Sequence, residues 1–154
     1  VDGKIYEIGC LGKIDEHNRT EDGRILINLK GINRFQIDKE IKNNEPYREF
    51  LVNYDLFKND KNLNEIKVSK EKFNELINNS KIFFQKQGIL LNWKELSKLS
   101  VKKQIYNLAM ISPISVEEKQ KLIEIVAIDD VANILNEITK FSFYEDPDQK
   151  KILQ

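Results

Sequence analysis

The hydrophobic period changes once along this 154-residue chain, and that change constrains the fold more than any other feature. Up to about residue 57, apolar residues recur at every second position; from residue 69 they recur every three or four. A period of two places alternate side chains on one face of a strand, and a period near 3.6 gathers them on one stripe of a helix. Strands followed by helices, with no βαβ alternation, read as an α+β architecture.

The first segment is β throughout. In "IYEIGCLGKI", Tyr6, Ile8, Cys10 and Ile14 share a face, with Gly9 and Gly12 interrupting as curved strands allow. The polar stretch His17 to Gly23 is expected to be a hairpin connection, with Asp22-Gly23 as its turn dipeptide. In "DGRILINLKGINRF", Ile25, Ile27 and Leu29 take one face and Arg24, Asn28 and Lys30 the other, the pattern of a half-buried antiparallel strand. Phe35 and Ile37 keep the parity of Leu29, so Gly31 is expected to bend this strand without ending it. Phe50, Val52, Tyr54 and Leu56 alternate again after a polar break at "KNNEP".

Residues 58–68 are polar and aperiodic, a linker. Beyond them Phe73, Leu76, Ile77, Phe83, Phe84 and Gln87 fit one long helix over 69–87, with Ser69 as N-cap and Gly88 as the stop. Asn92 and Glu95 have capping-box spacing, and Val101, Ile105 and Leu108 continue a helix towards "ISP". Ser115 with Glu118 is a better box, opening a helix through Ile125, and Asp129 can cap a last helix carrying Val131, Ile134, Leu135 and Ile138. The division expected is 1–57 strands, 58–68 linker, 69–143 helical bundle and 144–154 a frayed tail.

Charge excludes several classes of function. Twenty-five basic and 25 acidic residues cancel, so no global field draws the chain to nucleic acid or an anionic membrane. Residues 58–103 are the exception: eleven basic against five acidic residues give +6, all lysine, which reads first as a solvated helix surface. One cysteine rules out an internal disulfide, and one histidine leaves no Cys/His cluster for zinc, so no metal site and a reducing, cytoplasmic setting are expected. No apolar run approaches the roughly 20 residues of a membrane span, and "VDGKIYEIG" lacks a signal-peptide core. The sequence does not open on Met, which points to a native start upstream.

No catalytic or cofactor chemistry stands out. The only Gly-Lys pairs, at 3–4 and 12–13, are followed by isoleucine, so a phosphate-binding loop is absent and no cofactor is expected. His17 reads as a solvated loop residue, and no serine sits in a glycine-rich elbow. Glu117-Glu118 and Asp129-Asp130 fall in first helical turns, where the helix dipole accounts for them. Cys10 reads as a small buried hydrophobe, and Met110 with the phenylalanines of 73–84 as core.

The segments "IYEIGCLGKI", "DGRILINLKGINRFQI", "PYR" at 46–48 and "LAMISPISVEEKQKLIEI" resemble, in order and spacing, the Lon substrate-binding domain, most closely the stand-alone single-domain bacterial type, over about residues 5–140. The resemblance implies a PUA-like β-barrel followed by a C-terminal helical bundle. It assigns no catalytic residue, because the ATPase and Ser–Lys peptidase modules of Lon have no counterpart here. It matches Gly31, Arg34 and Phe35 to the family's "G-x-x-RF" strand. Arg34 is expected to pair with a carboxylate where barrel and bundle meet. The family's usual upstream strand and helix entry precede the first residue given, so the barrel is expected to lack its first strands.

The function implied is a non-enzymatic module that grips unfolded or extended polypeptide segments, working as an adaptor or substrate-recognition protein beside a protease or chaperone. An RNA-binding PUA-like domain is the alternative, suggested by the lysine-rich middle third. The residues that touch substrate are not identified by the sequence.

Overall fold

The computed structural model describes residues 5–60 and 68–141. The expected linker, apart from its ends, and the expected tail lie outside the described residues. The architecture is α+β, in two compact units, Val1–Leu63 and Asn64–Gln154.

The strand unit is a three-stranded antiparallel sheet of β1 (Ile8–Arg19), β2 (Ile25–Ile41) and β3 (Glu49–Asn53), in the order β1-β2-β3, followed by a 3₁₀ turn over Asp55–Phe57. The closed barrel expected from the sequence is not formed by the described residues. β1 and β3 are both edges of an open sheet, and closure takes more strands than three; small barrels use about five to eight. The first connection is shorter than expected, because His17 lies within β1 opposite Ile27. The turn itself spans Thr20–Arg24: Gly23, at φ +83°, donates to the Thr20 carbonyl (3.0 Å), and Asp22 accepts from the Thr20 hydroxyl and from Arg24 Nε (2.7 Å). Tyr54 and Leu56 are not strand residues, since the chain turns into the 3₁₀ segment at that point.

The helical unit contains α1 (Lys70–Lys86), α2 (Trp93–Leu96), α3 (Val101–Ile111), α4 (Val116–Glu124) and α5 (Ile128–Phe141). Its boundaries follow local chemistry. The Ser69 hydroxyl accepts from the Lys72 amide (3.2 Å), and Ser115 with Glu118 closes a reciprocal capping box. At the far end of α1, Gly88 adopts φ +68°. Its amide donates to Gln85 O (3.1 Å) and that of Ile89 to Phe84 O (2.9 Å), which is a Schellman termination. Asp129 does not cap α5. It lies inside the first turn and forms an ion pair with Lys72 Nζ (3.0 Å), linking α5 to α1.

The core of this unit gathers Leu76, Phe83 and Phe84 of α1 with Leu96, Ile105, Leu108, Leu122, Val131 and Leu135. Edge-to-face contacts join Phe84 to Phe83 (centroids 5.7 Å apart) and to Trp93 (6.0 Å). Met110 is not part of the core. On α3 the buried residues are Gln104, Ile105, Leu108 and Ala109, and the next position rotates about 100° away into solvent.

Candidate functional site

The sheet carries an apolar face that nothing covers among the described residues. Cross-strand partners share a face, so the register assigns it: Ile14 opposes Leu29, His17 opposes Ile27 and Arg19 opposes Ile25. The four aliphatic side chains, Ile14, Ile25, Ile27 and Leu29, are 55%, 57%, 50% and 59% exposed. The opposite face is mixed, with Asn18 against Leu26, Glu16 against Asn28 and Lys13 against Lys30. The hairpin therefore alternates as its sequence foretold, but its apolar side is open, not half-buried. From Ile25 to Leu29 the strip runs about 13 Å. Beside it, on the side away from β1, residues 25–29 of β2 have no strand partner among the described residues, because β3 pairs only with residues 36–41.

The strip ends where the strand changes face. Leu11 pairs with Asn33 and Gly12 with Gly31, so Ile32 is an extra residue on β2, a β-bulge. β1 is regular from Gly9 to Ile14 and serves as the ruler. Leu29 faces Ile14 while Phe35 faces Gly9, five positions away and hence on the other side. The expectation that Phe35 and Ile37 share the face of Leu29 is therefore wrong, because the bulge inverts the parity beyond it.

The three matched residues divide accordingly. Gly31 stands immediately before the bulge at negative φ, and a methyl added there would meet only Cys10 Sγ at 3.7 Å. Phe35 lies across Gly9, where an added methyl would sit 2.6 Å from the ring; the glycine that the fold needs is Gly9. Arg34 turns onto the face of the apolar strip and is buried. It pairs with a carboxylate, as expected, but that carboxylate belongs to the strand unit itself and not to a junction with the helices. Asp60 accepts from its Nε at 2.8 Å and its Nη2 at 2.6 Å, and the Arg34 backbone N–H donates to the same group at 3.3 Å. The guanidinium carbon stands 4.3 Å from the centroid of the buried Phe57 ring, and Asn33 Nδ2 donates to the Arg34 carbonyl (2.6 Å) and the Phe57 carbonyl (3.4 Å). This clasp ties the segment after β3 to the root of the hairpin. Asn33, Phe57 and Asp60 were not singled out by the sequence, which holds no local signal for a partner twenty-six positions away.

Cys10 opposes Arg34 but is exposed, contrary to its reading as a buried hydrophobe: it lies on the edge strand β1, while the clasp covers its partner on β2. Partial desolvation, aided by the Asp60 charge, pushes its thiol pKa up against the opposing pull of Arg34 and of the Ile32 and Asn33 backbone. A raised pKa keeps the thiol protonated and a poor nucleophile. Three surface carboxylates are held below their usual range by a basic neighbour, Asp22 by Arg24, Glu40 by Arg48 and Glu75 by Lys140, and Glu40 in turn raises the pKa of Arg48. Among the described residues, no three His, Cys, Asp or Glu side chains converge as metal ligands, and no helix is long and apolar enough to cross a membrane.

Residues 1–140 match the family model of the ATP-dependent protease La (Lon) substrate-binding domain. Among solved structures the fold is similar to the N-terminal domain of Mycobacterium avium complex Lon protease, with a TM-score of 0.59 and 17% sequence identity, over 91% of this chain and 73% of that one. No curated protein matches the chain. The comparisons lend no support to the RNA-binding alternative.

Proposed function

The chain belongs to the Lon substrate-binding domain family, and on that premise we propose that it is a non-catalytic module that holds extended polypeptide on its β1–β2 hairpin. The single observation that carries this reading is the open aliphatic strip Ile14, Ile25, Ile27 and Leu29 beside the β2 edge that no described strand pairs. An extended segment adding to that edge would satisfy the β2 backbone groups and set alternate side chains beside Ile25, Ile27 and Leu29. Covering the three β2 side chains, which are 50–59% exposed, is worth about 1 kcal/mol each, or about 3 kcal/mol in all. Association itself costs at least about 4 kcal/mol, so the strip alone gives no useful affinity and backbone hydrogen bonds must supply the remainder. The outcome is weak, sequence-tolerant binding, suited to an adaptor that passes segments to a protease or chaperone in the cytoplasm.

The test is anisotropy of fluorescein-labelled, chemically unfolded casein titrated with the protein. Binding at tens of micromolar, little changed by salt and lost in Ile25→Ser/Ile27→Ser, supports the reading. No binding at those concentrations, or full binding by the double variant, refutes it. Casein left intact on long incubation, with and without ATP, is the outcome expected of a module that does not cut.

A further inference from the structure

Charge is segregated within the helical unit. From Asn79 to Lys103 there are six lysines (81, 86, 94, 98, 102 and 103) against one acid, Glu95, a net +5; from Gln104 to Phe141 three lysines face six acids, a net −3. The six lysines lie on consecutive elements, the second half of α1, α2 and its exit, and the first turn of α3, and the one acid among them, Glu95, pairs with Lys98 (2.7 Å). Lys81 Nζ stands 5.8 Å from the centroid of the Trp93 ring, which joins the lysines of α1 to those around α2. Lys102 and Lys103 add their charge at the positive end of the α3 dipole, a placement that local helix electrostatics disfavours.

Between α1 and α2, in the chain segment from Lys86 to Lys94, stands Leu90, 99% exposed. It is not on a loose loop. The Schellman turn at Gly88 fixes one side, Ile89 and Leu91 pack against the core, and the Asn92 side chain accepts from the Glu95 amide (3.1 Å) on the other. An exposed apolar residue held between two lysine-bearing helices fits one kind of ligand. We propose that the α1–α2–α3 segment of the helical unit docks an acidic polypeptide segment, rich in Asp and Glu, that sets one apolar side chain against Leu90.

Charge complementarity argues for the acid, and the details argue for a polypeptide. Single-stranded RNA is held by stacking on aromatic faces or on arginine, and this segment has no arginine. Its one surface aromatic, Trp93, has its ring committed to Phe84 and Lys81. An anionic bilayer needs a broad apolar face, and a single leucine does not provide one. The site is separate from the hairpin strip, so neither reading depends on the other.

The experiment titrates the full chain into a fluorescein-labelled dodecapeptide of Glu and Asp with two leucines, followed by anisotropy. A uridine dodecamer and phosphatidylserine vesicles serve as parallel probes. The peptide is expected to bind at 50 mM NaCl with a Kd below about 100 μM and to weaken at least tenfold by 300 mM, since these exposed charges are screened. Lys94→Glu/Lys98→Glu/Lys103→Glu should lose at least tenfold, Leu90→Ser about threefold, and Lys94→Arg/Lys98→Arg/Lys103→Arg should retain binding. Lys13→Glu/Lys30→Glu, which removes two of the same charges from the sheet, should stay within twofold. Should the Glu variant fail to fold by circular dichroism, Lys94→Gln/Lys98→Gln carries the comparison. The proposal is overturned if the peptide does not bind, if the sheet variant weakens it as much as the helical one, or if the uridine oligomer or the vesicles bind more tightly through the same lysines.

Discussion

Replacing Arg34 by Met tests the clasp at the root of the hairpin. The methionine keeps the aliphatic bulk against Phe57 but strips Asp60 of both side-chain hydrogen bonds and of its counter-charge. The pair is largely desolvated, its side chains being 6% and 17% exposed, so it lies far from the surface regime in which ion pairs contribute little. Removing one partner from a buried pair costs about 3–5 kcal/mol, chiefly because the other charge is left uncompensated. The cation–π contact adds about 1 kcal/mol. The Asp60 carboxylate keeps some solvent and the Arg34 amide as donor, which places the expected loss near 3 kcal/mol, or about 12–24 °C in the melting temperature of a unit this size. Arg34→Met/Asp60→Leu removes both charges and should recover at least about 1.5 kcal/mol of that loss. Trp93, the only tryptophan, belongs to the helical unit and is a poor reporter of this change. Urea unfolding read by amide hydrogen exchange along β2 is the suitable assay. A loss under about 1 kcal/mol for Arg34→Met, or a double variant no better than the single one, would show that the clasp contributes nothing and that burial of Arg34 has another cause.

Gly9→Ala should cost about 1–3 kcal/mol by driving a methyl into the Phe35 ring, whereas Gly31→Ala should cost under about 1 kcal/mol; thermal melts of the pair settle which glycine the sheet requires. Ser80→Ala should stabilise the helical unit by about 1 kcal/mol, since the fully buried Ser80 hydroxyl has no hydrogen-bond partner among the described residues and alanine is the better helix former; Trp93-detected urea melts measure this. Glu75 has its carboxyl pKa lowered by the hydrogen bond from Lys140, so its small stabilising contribution is present above the unfolded-state pKa near 4.5 and is lost as pH falls through the lower folded value. Glu75→Gln should therefore flatten the acid limb of the pH–stability curve, and an unchanged limb would remove this pair from the account. Met110→Lys should change stability by less than about 0.5 kcal/mol by the same melts, because Met110 is exposed.

Much of the helical unit was legible because its signals are local. Ser69, Gly88, Asn92 and Ser115 act on backbone groups within five residues of themselves, and their roles are the ones their spacing implied. Met110 was misread for a related reason: an apolar residue near a buried stripe looks like part of it until the helix phase is known. The sheet was harder. Alternation in one strand cannot disclose an extra residue, since Ile32 is supernumerary only relative to β1, and so the inversion of face between Leu29 and Phe35 had no signature in "DGRILINLKGINRF". The glycine at 31 drew attention through its position in a strand, while the one that matters, Gly9, is marked only by the aromatic ring lying on it from the neighbouring strand. The candidate surface was half legible: its residues were named by parity, but their exposure was not.

By itself the sequence determined the order of strands and helices, the ends of most helices and which side chains share a stretch of face, because these depend on torsions, caps and periodicities spanning a few residues. Tertiary structure alone decided that the sheet stays open among the described residues, that Arg34 finds Asp60 twenty-six positions later, and that four aliphatic side chains of the hairpin face solvent. Those outcomes depend on what lies across from a residue, and the partner's register, which no local pattern encodes, sets that.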